Sequence, residues 1–464
     1  LMRYRLVHNM TGDDADDVIN GLMSFNNLVN AGGGNDALIG GSGEDTLLGG
    51  GGNDAILGLD GIDFMDGGSG IDTINLTQNT LGGVINLQSG VWSDGVQTET
   101  ISNFEAVLDG SGSTSIIGTG GDNLLNGGAG NDTLQASGGN DTLIGGAGAD
   151  HHDGGTGTAD MADYTTAPDA VGVFIGSPAS GFGHAQGDSF AGIEIWRLSS
   201  LGDTFFGGSA GEEVSSFGGN DALFGGAGND TLNGGIGDDF LLPGDGVDSV
   251  IGGGDFDAVF YGDAPAAVSI NLSTNVNTGF AAGDIFIAID AYLLTPFGDT
   301  MIGLNSSDSG DILYGLGGND SLSGLGGFDY LLGGDGDDTL NGGFGYDLFT
   351  GGLGADRFVF NNGFEGGAFA GGGEVITDFQ TGVDKIAFIG ATSGFASITL
   401  GQNLFIQAGG VTGAQGAGSG PVLIYDSAAG ALWFDSNGNQ AGGLNYLASL
   451  LGLPALVASD FIVV

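Results

Sequence analysis

The chain has 464 residues, 102 of them glycine, and sets 57 Asp and Glu against 5 Lys and Arg, a formal charge of −52. No basic patch exists to replace phosphate counterions, which argues against a nucleic-acid partner, and the lack of cysteine excludes disulfides and thiolate metal sites. With 41% hydrophobic residues this is not a disordered acidic tail, so something must neutralise the carboxylates and restrain glycines that each cost about 0.5–1 kcal/mol more to order than alanine.

The N-terminus carries Arg3 and Arg5 but no apolar signal core, so a cleavable secretory leader is not expected. This short arm either docks on an acidic neighbour or is a free end. A nine-residue phrase then takes over: Gly-Gly-x-Gly-x-Asp-x-apolar-x. Its Gly-Gly-x-Gly-x-Asp core is complete at Gly40, Gly49, Gly67, Gly127, Gly145, Gly225, Gly234, Gly333, Gly342 and Gly351. Run one carries Asp36, Asp45, Asp54, Asp63 and Asp72 at the sixth position. Run two has the neutral Asn123, then Asp132, Asp141 and Asp150. Run three has Asp203, Glu212, Asp221, Asp230, Asp239, Asp248 and Asp257. Run four begins irregularly at Asp299, breaks phase over Gly303–Asp308, then holds Asp311, Asp320, Asp329, Asp338, Asp347 and Asp356.

Three inserts separate the runs. Each has one β-rich phrase (84–87, 171–175, 268–272) and a second that carries an acid, Glu105, Glu194 or Asp290. Equivalent placement in three repeats argues for a repeated structural role, cation ligation included, over a catalytic set. The expected division is 1–75 N-terminal arm and first block, 76–117 insert, 118–162 second block, 163–200 insert, 201–260 third block, 261–298 insert, 299–360 fourth block, and 361–464 C-terminal module. No stretch is expected to span a bilayer: the most apolar one, 444–457, is broken by Asn445, Ser449, Gly452 and Pro454.

Three glycines in six residues permit a tight turn, and the remaining three residues form a short strand. Successive units therefore reverse, two units make a coil of eighteen residues, and strands eighteen apart stack in parallel. The expected fold is all-β: an elongated parallel β-roll with three β-rich inserts and a C-terminal β cap. The eighth position of every unit should build the core. It is apolar throughout, except at His152. Stacking places Asp36, Asp54 and Asp72 on one edge and Asp45 with Asp63 on the other. Carboxylates at strand spacing repel unless a cation lies between them. Calcium, which accepts six to eight oxygens in loose geometry, suits an all-oxygen donor set better than zinc or copper. One ion per acid-bearing turn gives about twenty ions.

Residues 12–360 thus resemble the RTX, or hemolysin-type calcium-binding, repeats. The resemblance implies a parallel β-roll, calcium in the turns with the sixth-position acids as ligands, and export by the type I secretion machinery without N-terminal cleavage. Residues 374–388 (Glu-Val-Ile-Thr-Asp-Phe-Gln-Thr-Gly-Val-Asp-Lys-Ile-Ala-Phe), residues 425–439 and the terminal Ser-Asp-Phe-Ile-Val-Val look like the cap and secretion signal of serralysin-type exported proteases. The zinc-binding His-Glu-x-x-His of those proteases does not occur in this sequence.

Other candidates carry less. Asp435, Asn437 and Asn439 read more readily as an Asn-Gly turn than as a metal site. His151 and His152 read as a frayed roll end rather than a transition-metal site. In run three the outward residues of one sheet, among them Phe206, Phe224, Phe240 and Phe260, are oily, so either the inserts cover them or a second subunit does. Three roles compete, all extracellular or at the bacterial cell surface. The first is a structural component of a surface layer, filament or matrix, by self-assembly. The second is an adhesin that binds cell-surface polysaccharide. The third is an exported polysaccharide-modifying enzyme or its accessory module.

Overall fold

The computed structural model describes residues 7–305, 310–360, 373–389, 404–407, 422–435 and 444–464. Arg3 and Arg5, Asn437 and Asn439 lie outside these. The chain divides into two compact units, one running to Gly225 and including Thr231–Ile236, the other comprising Gly226–Asp230 and Gly237–Val464.

In the first unit the eighteen-residue coil is direct in the strand register. Thr46 pairs with Leu28 and Phe64, Ala55 with Ala37 and Thr73, and Thr133 with Ser115 and His151, all in parallel. The second unit repeats it: Tyr330 pairs with Ile312 and Leu348, and Thr339 with Ser321 and Arg357. The stacked strands form four sheets among the described residues, and each unit is built from facing sheets. Their shared interior is the row of eighth-position side chains, from Leu38, Leu47 and Ile56 to Leu340, Phe349 and Phe358, each at most 1% exposed. Leu322 is flanked in its row by Met301 and Leu340, and Leu331 by Leu313 and Phe349. Leu322→Ala or Leu331→Ala therefore costs about 2–5 kcal/mol, measurable by chemical denaturation at fixed, saturating calcium.

The inserts are wound into the roll as extra rungs. In the first unit, strand Ala106–Leu108 sits between Thr73–Asn75 and Leu124–Asn126, and Ile195–Arg197 between Met161–Asp163 and Glu213–Ser215. In the second unit, Ala291–Leu293 sits between Ala258–Phe260 and Ile312–Gly317. The first insert also adds an antiparallel strand: Val91–Ser93 lies between Gly83–Asn86 and Thr98–Ser102.

The C-terminal segment closes both sheets of the second unit. Glu374–Ile376 pairs with Leu348–Leu353 and with Leu444–Leu450, and the latter continues into an antiparallel meander through Ala431–Asp435 and Val422–Asp426. Lys385–Phe388 pairs with Arg357–Phe360 and then with the final strand, Phe461–Val463.

His152 is not at a frayed end. Strand His151–Asp153 pairs on both sides, with Thr133–Gln135 and with Ser189–Ala191. The imidazole is fully buried and stacks on Phe190 at 5.2 Å. The aromatic row is half-buried: Phe174 of the second insert stacks on Phe206 at 4.7 Å, and Phe206 on Phe224 at 4.1 Å. The insert lengthens the row rather than covering it.

Candidate metal centre

The turns fold as their glycines dictate. The second glycine of each unit with the complete core adopts positive φ, as at Gly50 (110°) and Gly334 (112°), a conformation that side-chain-bearing residues rarely reach. The first glycine has ordinary φ and is required for a different reason. A Cβ at Gly40 would lie 2.6 Å from Asp45 Oδ2 and 2.7 Å from the Gly58 carbonyl oxygen. At Gly333 it would collide with Asp338 Oδ2 and lie 2.6 Å from the Gly351 oxygen. At these positions the first glycine thus keeps open a cradle between its own unit's carboxylate and a carbonyl one coil further on.

The carboxylates form ladders along the edges of each unit. One oxygen accepts the backbone N–H of the acid one coil earlier: Asp36 N–H donates to Asp54 Oδ1 at 2.8 Å, Asp54 to Asp72 at 2.7 Å, Asp45 to Asp63 at 2.7 Å, and Asp132 to Asp150 at 2.8 Å. In the second unit Asp230 donates to Asp248, Asp239 to Asp257, Asp311 to Asp329, Asp320 to Asp338, Asp329 to Asp347, and Asp338 to Asp356. The other oxygen, Oδ2, is buried without a hydrogen-bond donor in Asp36, Asp45, Asp54, Asp63, Asp72, Asp132, Asp141, Asp150, Asp248, Asp257, Asp320, Asp329, Asp338, Asp347 and Asp356. Asp221, Asp230 and Asp239 are equally buried. Among the described residues no group of three or more His, Cys, Asp or Glu side chains converges on one point, so any cation here draws on backbone carbonyls as well as carboxylates.

Burial sets the electrostatics. It pushes Asp63, Asp132, Asp141, Asp248, Asp320 and Asp329 up to about 7, against the lowering effect of the N–H each accepts. Asp72, Asp150, Asp257, Asp338, Asp347 and Asp356 rise to about 6 for the same reason. A buried carboxylate needs a compensating charge. Asn27 shows what the cradle attracts. It occupies a sixth position in the ladder of Asp45, and its Nδ2 lies within 3.3 Å of the carbonyls of Leu22, Phe25 and Gly40 and of Asp45 Oδ1. A partly positive NH2 sits where four oxygens converge.

The insert acids belong to the same ladders. Asp72 N–H donates to Glu105 Oε2 at 2.9 Å, Asp160 to Glu194 Oε2 at 3.0 Å, and Asp257 to Asp290 Oδ2 at 2.9 Å. Five further ladder acids escaped the sequence reading: Asp160, Asp188, Asp284, Glu374 and Asp384 accept from Asp141, Asp150, Asp248, Asp347 and Asp356. The signals were present. Gly154–Asp160 is a unit lengthened by one residue, and Gly-Asp-x-Phe occurs at both Gly187 and Gly283.

Where a ladder ends, protein donors replace the open cradle. Tyr164 OH donates to Asp188 Oδ2 at 2.6 Å, and Tyr261 OH to Asp284 Oδ2. Tyr164→Phe should cost about 1.5–3 kcal/mol, because it strands a buried carboxyl; denaturation of parent and variant in calcium measures it. In the first insert Leu76 stands where Tyr164 and Tyr261 stand in the others, four residues after the corresponding Asp. There a cleft of about 370 Å³ opens, lined by Leu76, Asn79, Trp92, Asp94, Gln97 and Glu99. Burial drives the Glu99 carboxyl up to about 8.

Two predicted ligands, Asp203 and Asp311, stand apart. Asp203 Oδ2 accepts the Ser199 N–H at 2.7 Å and its hydroxyl at 2.9 Å, and buried Leu198 occupies the place of the first glycine. Asp299 repeats this arrangement with Thr295 and Leu294. Asp311 Oδ2 accepts the Leu304 N–H at 2.7 Å.

Comparison with known families agrees with this geometry. The RTX calcium-binding nonapeptide repeat family matches residues 11–47, 22–56, 57–76, 109–143, 117–151, 127–158 and 215–250. The family described as Peptidase M10 serralysin C terminal matches residues 289–463. The chain carries RTX calcium-binding repeats and a serralysin-type C-terminal domain. The match to the latter begins within the third insert, so run four of the RTX roll and its closing strands fall inside one family region. No curated protein matches the chain. RTX nonapeptides bind calcium, and the donor-free Oδ2 atoms, the glycine cradles and the all-oxygen donors suit that ion.

Proposed function

We propose that this RTX chain folds on calcium after type I export and serves as a structural component of a surface layer, filament or matrix outside the cell. The observation that carries the calcium step is the series of buried Oδ2 atoms without donors. The ligands are Asp36, Asp45, Asp54, Asp63, Asp72, Asp132, Asp141, Asp150, Asp221, Asp230, Asp239, Asp248, Asp257, Asp320, Asp329, Asp338, Asp347 and Asp356, each with carbonyl oxygens of the glycine turns. Asp203 and Asp311 drop out of the set because protein donors already hold their second oxygen. Asp160 joins it, since its Oδ2 is buried without a donor. Bound calcium supplies the positive charge that the sequence lacks.

The ladders run through most of the described chain, which supports a role that uses the whole roll rather than a local site. Calcium-poor cytoplasm keeps the chain unfolded and exportable, and millimolar calcium outside drives folding. A second reading, saccharide binding, is favoured by the cleft beside Trp92, where amide and carboxyl side chains converge. Electron microscopy of the purified chain in calcium and in EGTA tests the proposal. Ordered assemblies that dissolve in EGTA are expected. Calcium-loaded monomers that bind a glycan saturably would favour the second reading instead.

A further inference from the structure

We propose that the coil at His152 holds, in place of the calcium assigned to Asp150 above, a transition-metal dication of the zinc class, bound by the His152 imidazole and the Asp150 carboxylate. His152 is the one non-apolar residue among the eighth positions of the runs. Its side chain is wholly buried, and neither ring nitrogen has a hydrogen-bond partner. A buried polar group left in this state is rare and calls for a ligand, a water or an ion.

The ring does not face the core at random. A Cβ at Gly145 would lie 2.8 Å from His152 Nε2, 2.8 Å from its Cε1 and 2.5 Å from Asp150 Oδ2. The Nε2 edge of the imidazole and the donor-free carboxylate oxygen therefore border the same glycine cradle. Asp150 is itself 1% exposed, and its Oδ2 is buried without a donor. At other first positions no imidazole borders the cradle: at Gly154 the nearest atoms belong to the Gly192 carbonyl and to Asp160, and at Gly58 they are Asp63 Oδ2 and the Met65 sulfur. This cradle in the first unit thus offers an imidazole nitrogen as well as oxygen.

That difference changes the preferred ion. Calcium is a hard cation that takes oxygen ligands, whereas a neutral imidazole suits zinc, nickel or copper. Tautomer choice is open to the site, since neither nitrogen is committed elsewhere. Two side-chain donors leave further positions to water or backbone oxygen. His151 is not part of the set: its Nδ1 lies 2.8 Å from Ser189 Oγ in the adjoining strand.

The test uses the full chain refolded in excess calcium with a small amount of zinc, then gel-filtered and assayed for metal. Parent protein should retain one equivalent of zinc, and His152→Leu none, with calcium content no lower and far-UV circular dichroism unchanged. Leucine is the commonest residue at the eighth position, so this variant fits the fold. Independently of any variant, cobalt added to the calcium-loaded parent should give d–d absorption bands of a nitrogen- and oxygen-ligated ion. Zinc retained equally by His152→Leu, no zinc retained by the parent, or a cobalt spectrum identical to that of the aquo ion would each overturn the assignment. The last two results would indicate a water-satisfied imidazole.

Discussion

Gly333→Ala should destabilise the calcium-loaded protein by about 3–5 kcal/mol and lower its calcium content, although the backbone there has no positive φ. On an ordinary backbone, alanine would otherwise stabilise by about 0.4–1 kcal/mol through the unfolded state. Two effects reverse the sign. The new methyl group meets the Asp338 carboxylate and the Gly351 carbonyl, an overpacking cost of about 1–3 kcal/mol. It also fills the cradle, and loss of an ion present at a hundred times its dissociation constant removes about 2.7 kcal/mol. Gly120→Ala is the control, because nothing lies within 4 Å of a Cβ there. Calcium-dependent denaturation of the two variants separates the effects. Equal stabilities would show that the first glycine is there only for backbone freedom.

Acid should strengthen the calcium-free fold. The carboxyls of Asp63, Asp132, Asp141, Asp248, Asp320 and Asp329 stand at about 7 in the folded chain, raised by burial from an ordinary value of 3.8. The folded state therefore binds more protons than the unfolded one between about pH 4 and 7. Their contribution is fully present below the unfolded value and is lost as pH rises through 6 to 7. Protons stand in for the missing cations, and most proteins rich in carboxylates behave in the opposite way. Circular dichroism of metal-stripped protein from pH 4 to pH 8 should show β signal falling as pH rises, with a midpoint near 6. With calcium bound the trend inverts, because protons compete for the same oxygens. A calcium-free signal that grows with pH would contradict the ladder geometry.

The roll was legible because its signal is redundant. Period nine, glycine at fixed offsets and an apolar eighth position all agree, and the strand register of eighteen follows. What escaped was written in single residues. Asp188 and Asp284 lie far from any nonapeptide, and only the folded rungs bring them beneath Asp150 and Asp248. Asp203 kept the phase of run three but had lost its first glycine to Leu198, a departure visible in the sequence whose meaning depends on the cradle. The inserts carried β-rich phrases, yet nothing local announced that they would be wound into the roll, since their pairing spans 31 to 38 residues in place of eighteen, as in Thr114 with Gly83 and His151 with Ser189. His152 breaks the apolar rule, and its burial between two paired strands, which its neighbours in sequence do not announce, makes the exception informative.

Calcium titration of metal-stripped protein at pH 7.5, followed by far-UV circular dichroism and hydrodynamic radius, tests the central claim most directly. The account predicts an expanded chain without calcium, a cooperative gain of β structure with a fall in radius as calcium is added, and full reversal by EGTA. A metal-stripped chain that is already compact and fully β-structured at that pH would contradict it.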